Sequence, residues 1–473
     1  MSNSDRKVVI DTARYIRDVR PIDPTEFLQY TETNSVDDIR TVIRESAIDL
    51  NVIEREDGTF VPVDRESVTV SFDGVESLPP ALDDGIEALL VEQYGSDWPH
   101  GPSGDELRDT IRRMKSDYFR GTPVDYQYPM ALGYAVYHLP NYYAAIQYVL
   151  HELGGTGLLE PPLRILDVGA GVGGPALGID AYLPDRTLVE YTAVEPSPAR
   201  RVFERFAAKT GRNVHIRIRS DRAESFEPAG RYDLILFSNV LSELEEPVPT
   251  VDRYRQALEP AGAAILMSPA DRNTSIGLRR VERTLVDERD RWSVYAPSVR
   301  LWPGERPTDT GWSFATYPSI DTPEVQRKLD TGRRETPDER PPNSGEFKNT
   351  SVQVSYAILR TDGKTRIQFR PGPRRVAKLG ALAEHVTQRI DCVGVKLSDD
   401  LGTEENPVFR VSDGSQSTDV FAVMPLETRQ NRRLISAPYG TGLRFENALV
   451  LWNGDEEAYN LVVDRESFVE AVP

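Results

Sequence analysis

Residues 163–174 read Leu-Arg-Ile-Leu-Asp-Val-Gly-Ala-Gly-Val-Gly-Gly. An apolar strand delivers the chain to Gly169, Gly171 and Gly173, after which a helix begins. A side chain there would take the space of a ligand, and the tight turn asks for dihedrals that glycine adopts freely. The surrounding pattern alternates: strands are expected over 163–168, 190–194, 214–218, 233–238 and 263–267, with helices between most of them. Val352–Leu359 is a final strand, and Tyr134–Leu153 reads as a long amphipathic helical region leading in. Such alternation makes a parallel sheet covered on both faces, an α/β Rossmann-like domain expected over 126–375.

The glycines alone leave two ligands open, because Gly169, Gly171 and Gly174 also satisfy the GxGxxG of a nicotinamide dinucleotide loop. Two acids favour S-adenosylmethionine. Asp167 lies two residues before the first glycine, where a carboxylate approaches the cationic methionine end directly or through water, whereas a pyrophosphate would be repelled. Glu195 ends the next strand and suits two ribose hydroxyls as acceptor for both. The expected cofactor set is Asp167, Gly169, Ala170, Gly171, Gly173 and Glu195, joined by Asp221 and Ser238. Asp221 follows the third strand and suits the adenine amino group, or is a plain surface-loop acid. Ser238 closes the fourth strand, above which the methyl group would sit, or caps a following helix in which Val240, Leu241 and Leu244 face the core. The fold class is that of class I S-adenosylmethionine-dependent methyltransferases.

No catalytic residue is designated. An Asn-Pro-Pro-aromatic sequence is missing after the fourth strand, no cysteine stands near the fourth or fifth strand, and lysines are few. Methyl transfer would then rest on positioning an already nucleophilic atom against the sulfonium.

The flanks differ in texture. Over 1–65, helices are expected at 4–19, after Asp23-Pro24 and after Ser35, followed by two short strands about Asp57-Gly58. That order suggests a winged-helix-like domain or a small helical cap on its neighbour, with Arg40 and Arg44 as basic groups of the third helix. Residues 66–125 read as a helical connector, and 318–345, rich in Pro, Arg and Asp, as a mobile loop. Over 385–473 the pattern is all β. Strands at 389–397, 407–411, 419–424, 442–452 and 458–463, with a connector at 431–437, match the order of an OB-type barrel.

Bulk composition excludes more than it selects. The 473 residues imply several cores. One cysteine, Cys392, rules out an intramolecular disulfide, and five scattered histidines give no metal-ligand pair, so no metal is expected. No apolar run reaches about eighteen residues and Met1–Lys7 lacks a signal core, so a cytoplasmic chain without membrane contact is expected. The net charge of −19 comes from acids spread along the chain, with Arg far exceeding Lys. This pattern fits a cytosol of very high salt, where screening makes net charge a poor guide to partners.

Several short motifs, in order, resemble the Rsm22 family of small-ribosomal-subunit proteins. They are Tyr134-x-x-x-His138-Leu139-Pro140, the glycine loop, Asn239-Val240-Leu241-Ser242-Glu243-Leu244, Ala296-Pro297, Trp302-Pro303, Gly311-Trp312-Ser313-Phe314 and Val354-Ser355-Tyr356. The resemblance implies association with the small ribosomal subunit and its rRNA. Family members often hold an iron–sulfur cluster on four cysteines. Here Ser298, Trp302 and Ser313 stand in that region, so no cluster is expected and Trp302, Trp312 and Phe314 must order the segment by packing. An OB-type domain agrees with RNA contact through Phe409, Phe421, Tyr439 and Phe445, or those rings fill its core. The basic patch is Arg370, Arg374, Arg375 and Lys378.

Three functions fit: a methyltransferase acting on small-subunit rRNA, a non-catalytic rRNA-binding assembly factor that retains the cofactor pocket, and a small-molecule methyltransferase. Extra domains on both sides argue against the last.

Overall fold

The computed structural model describes residues 1–120, 127–154, 156–289, 291–336, 340–369, 376–403 and 406–472. The chain divides into two units: Met1–Leu236 with Gln256–Glu259 and Pro318–Val352, and Phe237–Arg255 with Pro260–Tyr317 and Gln353–Pro473.

The first unit opens with α1 (Asn3–Ile16), a 3-10 turn over Pro24–Gln29, α2 (Val36–Glu45) and α3 (Ala47–Leu50). An antiparallel hairpin of β1 (Val52–Glu54) and β2 (Phe60–Pro62) follows. Ser35 Oγ accepts from the amide of Asp38, and Asp23 accepts from that of Thr25 with Pro24 in the first turn, so local capping sets both starts. Ile39, Ile43, Leu50, Val52 and Phe60 bury a small core that includes Leu188. Arg44 forks onto buried Glu54 at 2.6 and 2.9 Å, and Arg40 bonds Asp37 at 2.8 Å. Both guanidinium groups are thus engaged within the fold.

Next come α4 (Pro80–Tyr94) and α5 (Gly101–Arg120). Arg108, fully buried, pairs with Asp105 at 2.6 Å and donates to the carbonyls of Pro99 and Leu329 at 3.0 and 3.1 Å. The expected long helix is two: α6 (Tyr128–Tyr137) and α7 (Leu139–His151), broken at His138. Pro140 causes the break, since it has no amide to continue the ladder. The stretch expected to be a mobile loop instead carries a helix, Glu324–Thr331, whose Val325 and Leu329 are fully buried. Gln326 anchors it by donating to the carbonyl of Val136 at 2.8 Å.

The parallel sheet of this unit has β3 (Leu163–Val168), β4 (Val189–Val194), β5 (Val214–Arg219) and β6 (Tyr232–Ser238), in the order β5-β4-β3-β6. Between them run α8 (Gly174–Tyr182) and α9 (Ala199–Ala207). β3 lies between two neighbours and is buried except at Arg164. That places the glycine loop at the C-terminal ends of central strands, where open α/β sheets bind ligands.

The second unit begins with the last two residues of β6 and continues through α10 (Pro247–Tyr254), β7 (Leu258–Ser268) and α11 (Arg272–Arg283). Then come β8 (Ser293–Ala296), β9 (Ala315–Tyr317) and β10 (Val352–Arg360). β10 pairs antiparallel with β7 and β8, and β9 also pairs with β10.

The remaining strands form a second sheet: β11 (Arg389–Lys396), β12 (Val408–Ser412), β13 (Val420–Val423), β14 (Gly442–Asn453), β15 (Ala458–Val462) and β16 (Phe468–Ala471). The order β11-β12-β13-β15-β14 closes through a β11–β14 pairing, with β13 and β15 parallel. This is a barrel of five strands, with a helical connector at Arg433–Ser436; β16, unforeseen, adds to β14. Its interior holds Leu382, Val411, Leu443, Val450, Leu461 and Cys392, the last with no exposed surface.

Of the four aromatics weighed for RNA contact, Phe409 and Phe445 line this interior, while Tyr439 packs against Arg279 and Ser313 in the turn before β14. Phe409, Phe445 and Tyr439 are buried, and Phe421 is half-buried. Buried on paired strands, Phe409 and Phe445 leave no open face for a base. Of the expected basic patch, Arg370, Arg374 and Arg375 lie outside the described residues, and Lys378 pairs with Glu305 and sits 4.9 Å from the Trp302 ring centroid.

A buried polar seam runs through this unit. Arg279 donates to Glu282 at 2.8 Å, Ser313 Oγ at 3.1 Å, the Tyr356 carbonyl at 2.7 Å and Tyr439 Oη at 3.0 Å. Glu282 also accepts from Arg300 at 2.6 Å, and Trp302 Nε1 donates to Asp413 at 2.7 Å. Trp302 and Phe314 are buried in this segment, and the Trp312 and Phe314 rings lie 5.5 Å apart.

Candidate functional site

Gly169, Gly171 and Gly173 all have positive φ, at 77°, 55° and 87°, so the turn takes the left-handed region three times in five residues. The reasons for glycine differ by position. A Cβ on Gly171 would meet nothing within 4 Å and would project into open space beside the loop. A Cβ on Gly173 would lie 2.2 Å from the Phe203 ring, so this glycine serves packing against α9. Ala170 and Val172 are buried beneath the turn.

Both expected acids reach the loop. Glu195, nearly buried, accepts from the amide of Gly171 on Oε2 and from that of Ser197 on Oε1, each at 2.8 Å. Each oxygen keeps a second lone pair for a ligand hydroxyl. This bond also decides against a pyrophosphate. The loop amide that would cradle a phosphate is already given to a carboxylate.

Asp167 has no exposed surface. Its Oδ2 accepts from Tyr191 Oη at 2.7 Å, and among the described residues its Oδ1 has no hydrogen-bond partner. Burial pushes its acid constant up from 3.8 to about 7; the Tyr191 bond lowers it and nearby Glu195 raises it further. A buried carboxylate oxygen left unpaired is costly, and a cation beside it would relieve that cost.

Tyr191 was missed by sequence reasoning, though a signal was there. In the register, Ile165 faces Tyr191 and Asp167 faces Ala193 across parallel strands. Alternation puts Tyr191, Ala193 and Glu195 on one side of β4, the side Asp167 shares.

The other two expected residues are placed differently. Asp221 is exposed on the loop after β5. Ser238, which belongs with the second unit, is buried at the end of β6, its Oγ 3.7 Å from Met267 Sδ. It caps no helix: Asn239 turns left-handed at φ 60° and donates to the Met267 carbonyl at 3.0 Å, and α10 begins only at Pro247.

On the loop's other flank, α7 packs closely on α8, since a Cβ on Gly174 would lie 3.0 Å from Tyr142 Cβ. Tyr142 stacks on His138 with centroids 5.5 Å apart, and Tyr134 lies 4.8 Å from His138. Burial, with Lys115 adding to it, lowers the His138 acid constant to about 3, so its ring is neutral at physiological pH. Among the described residues no group of three or more His, Cys, Asp or Glu is arranged to hold a metal. No helix among them is long and apolar enough to cross a membrane.

The loop, its acids and the sheet define a methyltransferase of the S-adenosylmethionine-dependent class, and the residues present fit that cofactor. Residues 138–321 match the family model of a methyltransferase domain. Residues 6–56 and 380–472 match the N-terminal and C-terminal domains of a family of unknown function, DUF8157.

Among curated proteins, the chain is similar to a squalestatin hexaketide synthase of Phoma sp., 34% identical over 133 residues, covering 27% of this chain and 5% of that protein. It is also similar to the highly reducing polyketide synthase pks5 of Leptosphaeria maculans, 28% identical over 274 residues, covering 55% of this chain and 10% of that protein. The chain thus spans a small part of the length of these relatives.

Among solved structures, the plantazolicin methyltransferase BpumL with S-adenosylhomocysteine aligns at 14% identity and TM-score 0.28, covering 59% of this chain and 98% of that one. An O-methyltransferase described as putative, from Nostoc punctiforme, aligns at 16% identity and TM-score 0.27, covering 58% and 78%.

Proposed function

We propose that this methyltransferase acts on small-subunit rRNA, by positioning a nucleophilic atom of the RNA against the donor methyl. Bound S-adenosylmethionine supplies an electrophilic methyl on a sulfonium. The chain's own part is to hold the ribose through Glu195, to offer Asp167 to the cationic end, and to leave the side above Gly171 clear. The observation that carries the catalytic reading is the buried Oδ1 of Asp167, without a partner among the described residues, beside a bare glycine turn. No lysine or cysteine machinery is needed if the acceptor atom is already nucleophilic.

The RNA acceptor follows from the ordered motifs of the Rsm22-like resemblance. The barrel order β11-β12-β13-β15-β14 also supports it, because it is that of OB-type domains. With Phe409 and Phe445 buried, an exposed ring on this barrel is Trp452, 47% exposed and packed edge-on against Tyr459 at 4.8 Å. Such a pair offers a stacking platform for an unpaired base.

A second reading, methylation of a small organic acceptor, is favoured by the similarity to segments of fungal polyketide synthases. Transfer of labelled methyl from S-adenosylmethionine to purified small subunits of a deletion strain, followed by mapping of the labelled nucleotide, tests the first reading. Label at one rRNA position, missing from the deletion strain's own map, is expected. An unchanged map with defective subunits would leave a non-catalytic assembly factor. An unchanged map with normal subunits would leave the small acceptor.

A further inference from the structure

The tie between Tyr191 and Asp167 carries an inference about how the donor is held, and it rests on the methyltransferase reading above. We propose that Tyr191 is a positioning residue: it fixes one oxygen of Asp167 so that the other meets the cationic methionine end of the ligand, and Asp167 gives up a proton to solvent as the ligand binds.

The geometry has three parts. Asp167 is buried between β4 and β6, where its register partners are Ala193 and Leu236. Tyr191, itself buried, holds Oδ2 at 2.7 Å and so fixes the orientation of the carboxyl plane. Oδ1 is left without a partner among the described residues. The ionisable groups that bear on Asp167 are Tyr191 and Glu195, both from the β4 side; Leu236 on the β6 side carries no charge.

Among the described residues no cation of the chain is one of them. With its acid constant near 7 in the free protein, much of Asp167 carries a proton at neutral pH. A ligand cation beside Oδ1 favours the ionised form, so the acid constant falls on binding and the proton leaves. The sign follows: affinity rises with pH below about 7 and levels off above it.

The probe is sinefungin, a stable analogue with an amine where the donor has its sulfonium, titrated calorimetrically in buffers of different ionisation heat. With a free-state constant near 7, about 0.7–0.8 proton should leave per ligand at pH 6.5 and about 0.1 at pH 8. Asp167→Asn should bind weakly and lose this release, which separates it from any titration of the ligand's own amines. Tyr191→Phe removes a bond that favours the ionised carboxylate, so release should persist at pH 8 and the affinity plateau should move to higher pH.

A merely structural tyrosine would weaken binding equally at every pH. Equal proton release by wild type and Asp167→Asn would overturn the proposal, as would an unmoved pH profile in a folded Tyr191→Phe. Should Tyr191→Phe not fold, the Asp167→Asn comparison decides alone. Failure of the wild type to bind sinefungin at any pH would overturn the methyltransferase reading itself. Binding without proton release would overturn only this inference.

Discussion

The amide of Gly171 donates to Glu195 Oε2 across 2.8 Å, so the turn after one strand is held by the acid that ends its neighbour. Loop shape and ribose recognition therefore depend on one carboxylate. Glu195→Gln keeps the size but offers only one accepting oxygen, leaving the amide of Gly171 or Ser197 facing an NH₂. A bond to a charged group contributes about 1.5–3 kcal/mol, so S-adenosylhomocysteine affinity should fall roughly ten- to hundredfold in a titration. Unchanged affinity would show that the carboxylate is not part of the site.

Gly171 and Gly173 should respond unequally to the same change. Gly171→Ala places its Cβ in open space at a φ of 55°, costing only about 1–2 kcal/mol of backbone strain. Gly173→Ala adds a clash with Phe203, so its melting temperature should fall further, by an overpacking cost of about 1–3 kcal/mol on top of strain. Gly171→Arg should abolish cofactor binding while the barrel stays folded. Thermal unfolding and ligand titration of the three variants check this together.

Asp167→Asn should stabilise the ligand-free protein at alkaline pH. The folded acid constant, about 7, lies above the ordinary 3.8, so ionisation is penalised in the fold. Stability contributed by the protonated form is present below about pH 4, is lost as pH rises towards 7, and is gone above it. The variant's melting temperature should therefore exceed wild type at pH 8 and converge with it near pH 4.

Glu282→Ala should be strongly destabilising. Burial alone would raise the acid constant of Glu282, but Arg300 and Arg279 outweigh it and hold the constant below 4.5. Removing the acid leaves the buried guanidinium of Arg279 without its charge partner, a loss of about 3–5 kcal/mol in denaturant unfolding near pH 7. Because the folded constant is depressed, this contribution is present above about 4.5 and fades as pH falls through the lower folded value. The gap between variant and wild type should therefore shrink in acid.

The strongest elements were legible because one rule governed each. β3 and β6 are largely apolar runs ending at turns, β5 alternates apolar with polar residues, and Asp23 and Ser35 cap helices through purely local bonds. The glycine loop and its two acids were readable for the same reason. What failed depended on distant partners. The helix Glu324–Thr331 offers only Val325 and Leu329 as apolar signal between breakers, and its anchor, Gln326 on Val136, is far away in sequence. β8, β9 and β16 have four residues or fewer and exist through their pairing. For the barrel rings both outcomes stayed open, because alternation along a strand does not say which side is inside; Phe409 and Phe445 line the core. Ser238 stayed open between the cofactor and a helix cap because the left-handed turn at Asn239 has no unambiguous residue signature.

Cys392 is the chain's single thiol, and the barrel closes over it completely. Burial pushes its acid constant far above that of a free thiol, with Asp413 and Asp391 adding to the effect. The native protein should therefore be blind to maleimides, and labelling should proceed only when the barrel opens. With no competing sulfhydryl, that labelling rate gives a direct clock for local opening of one module, in the presence of any ligand the glycine turn accepts.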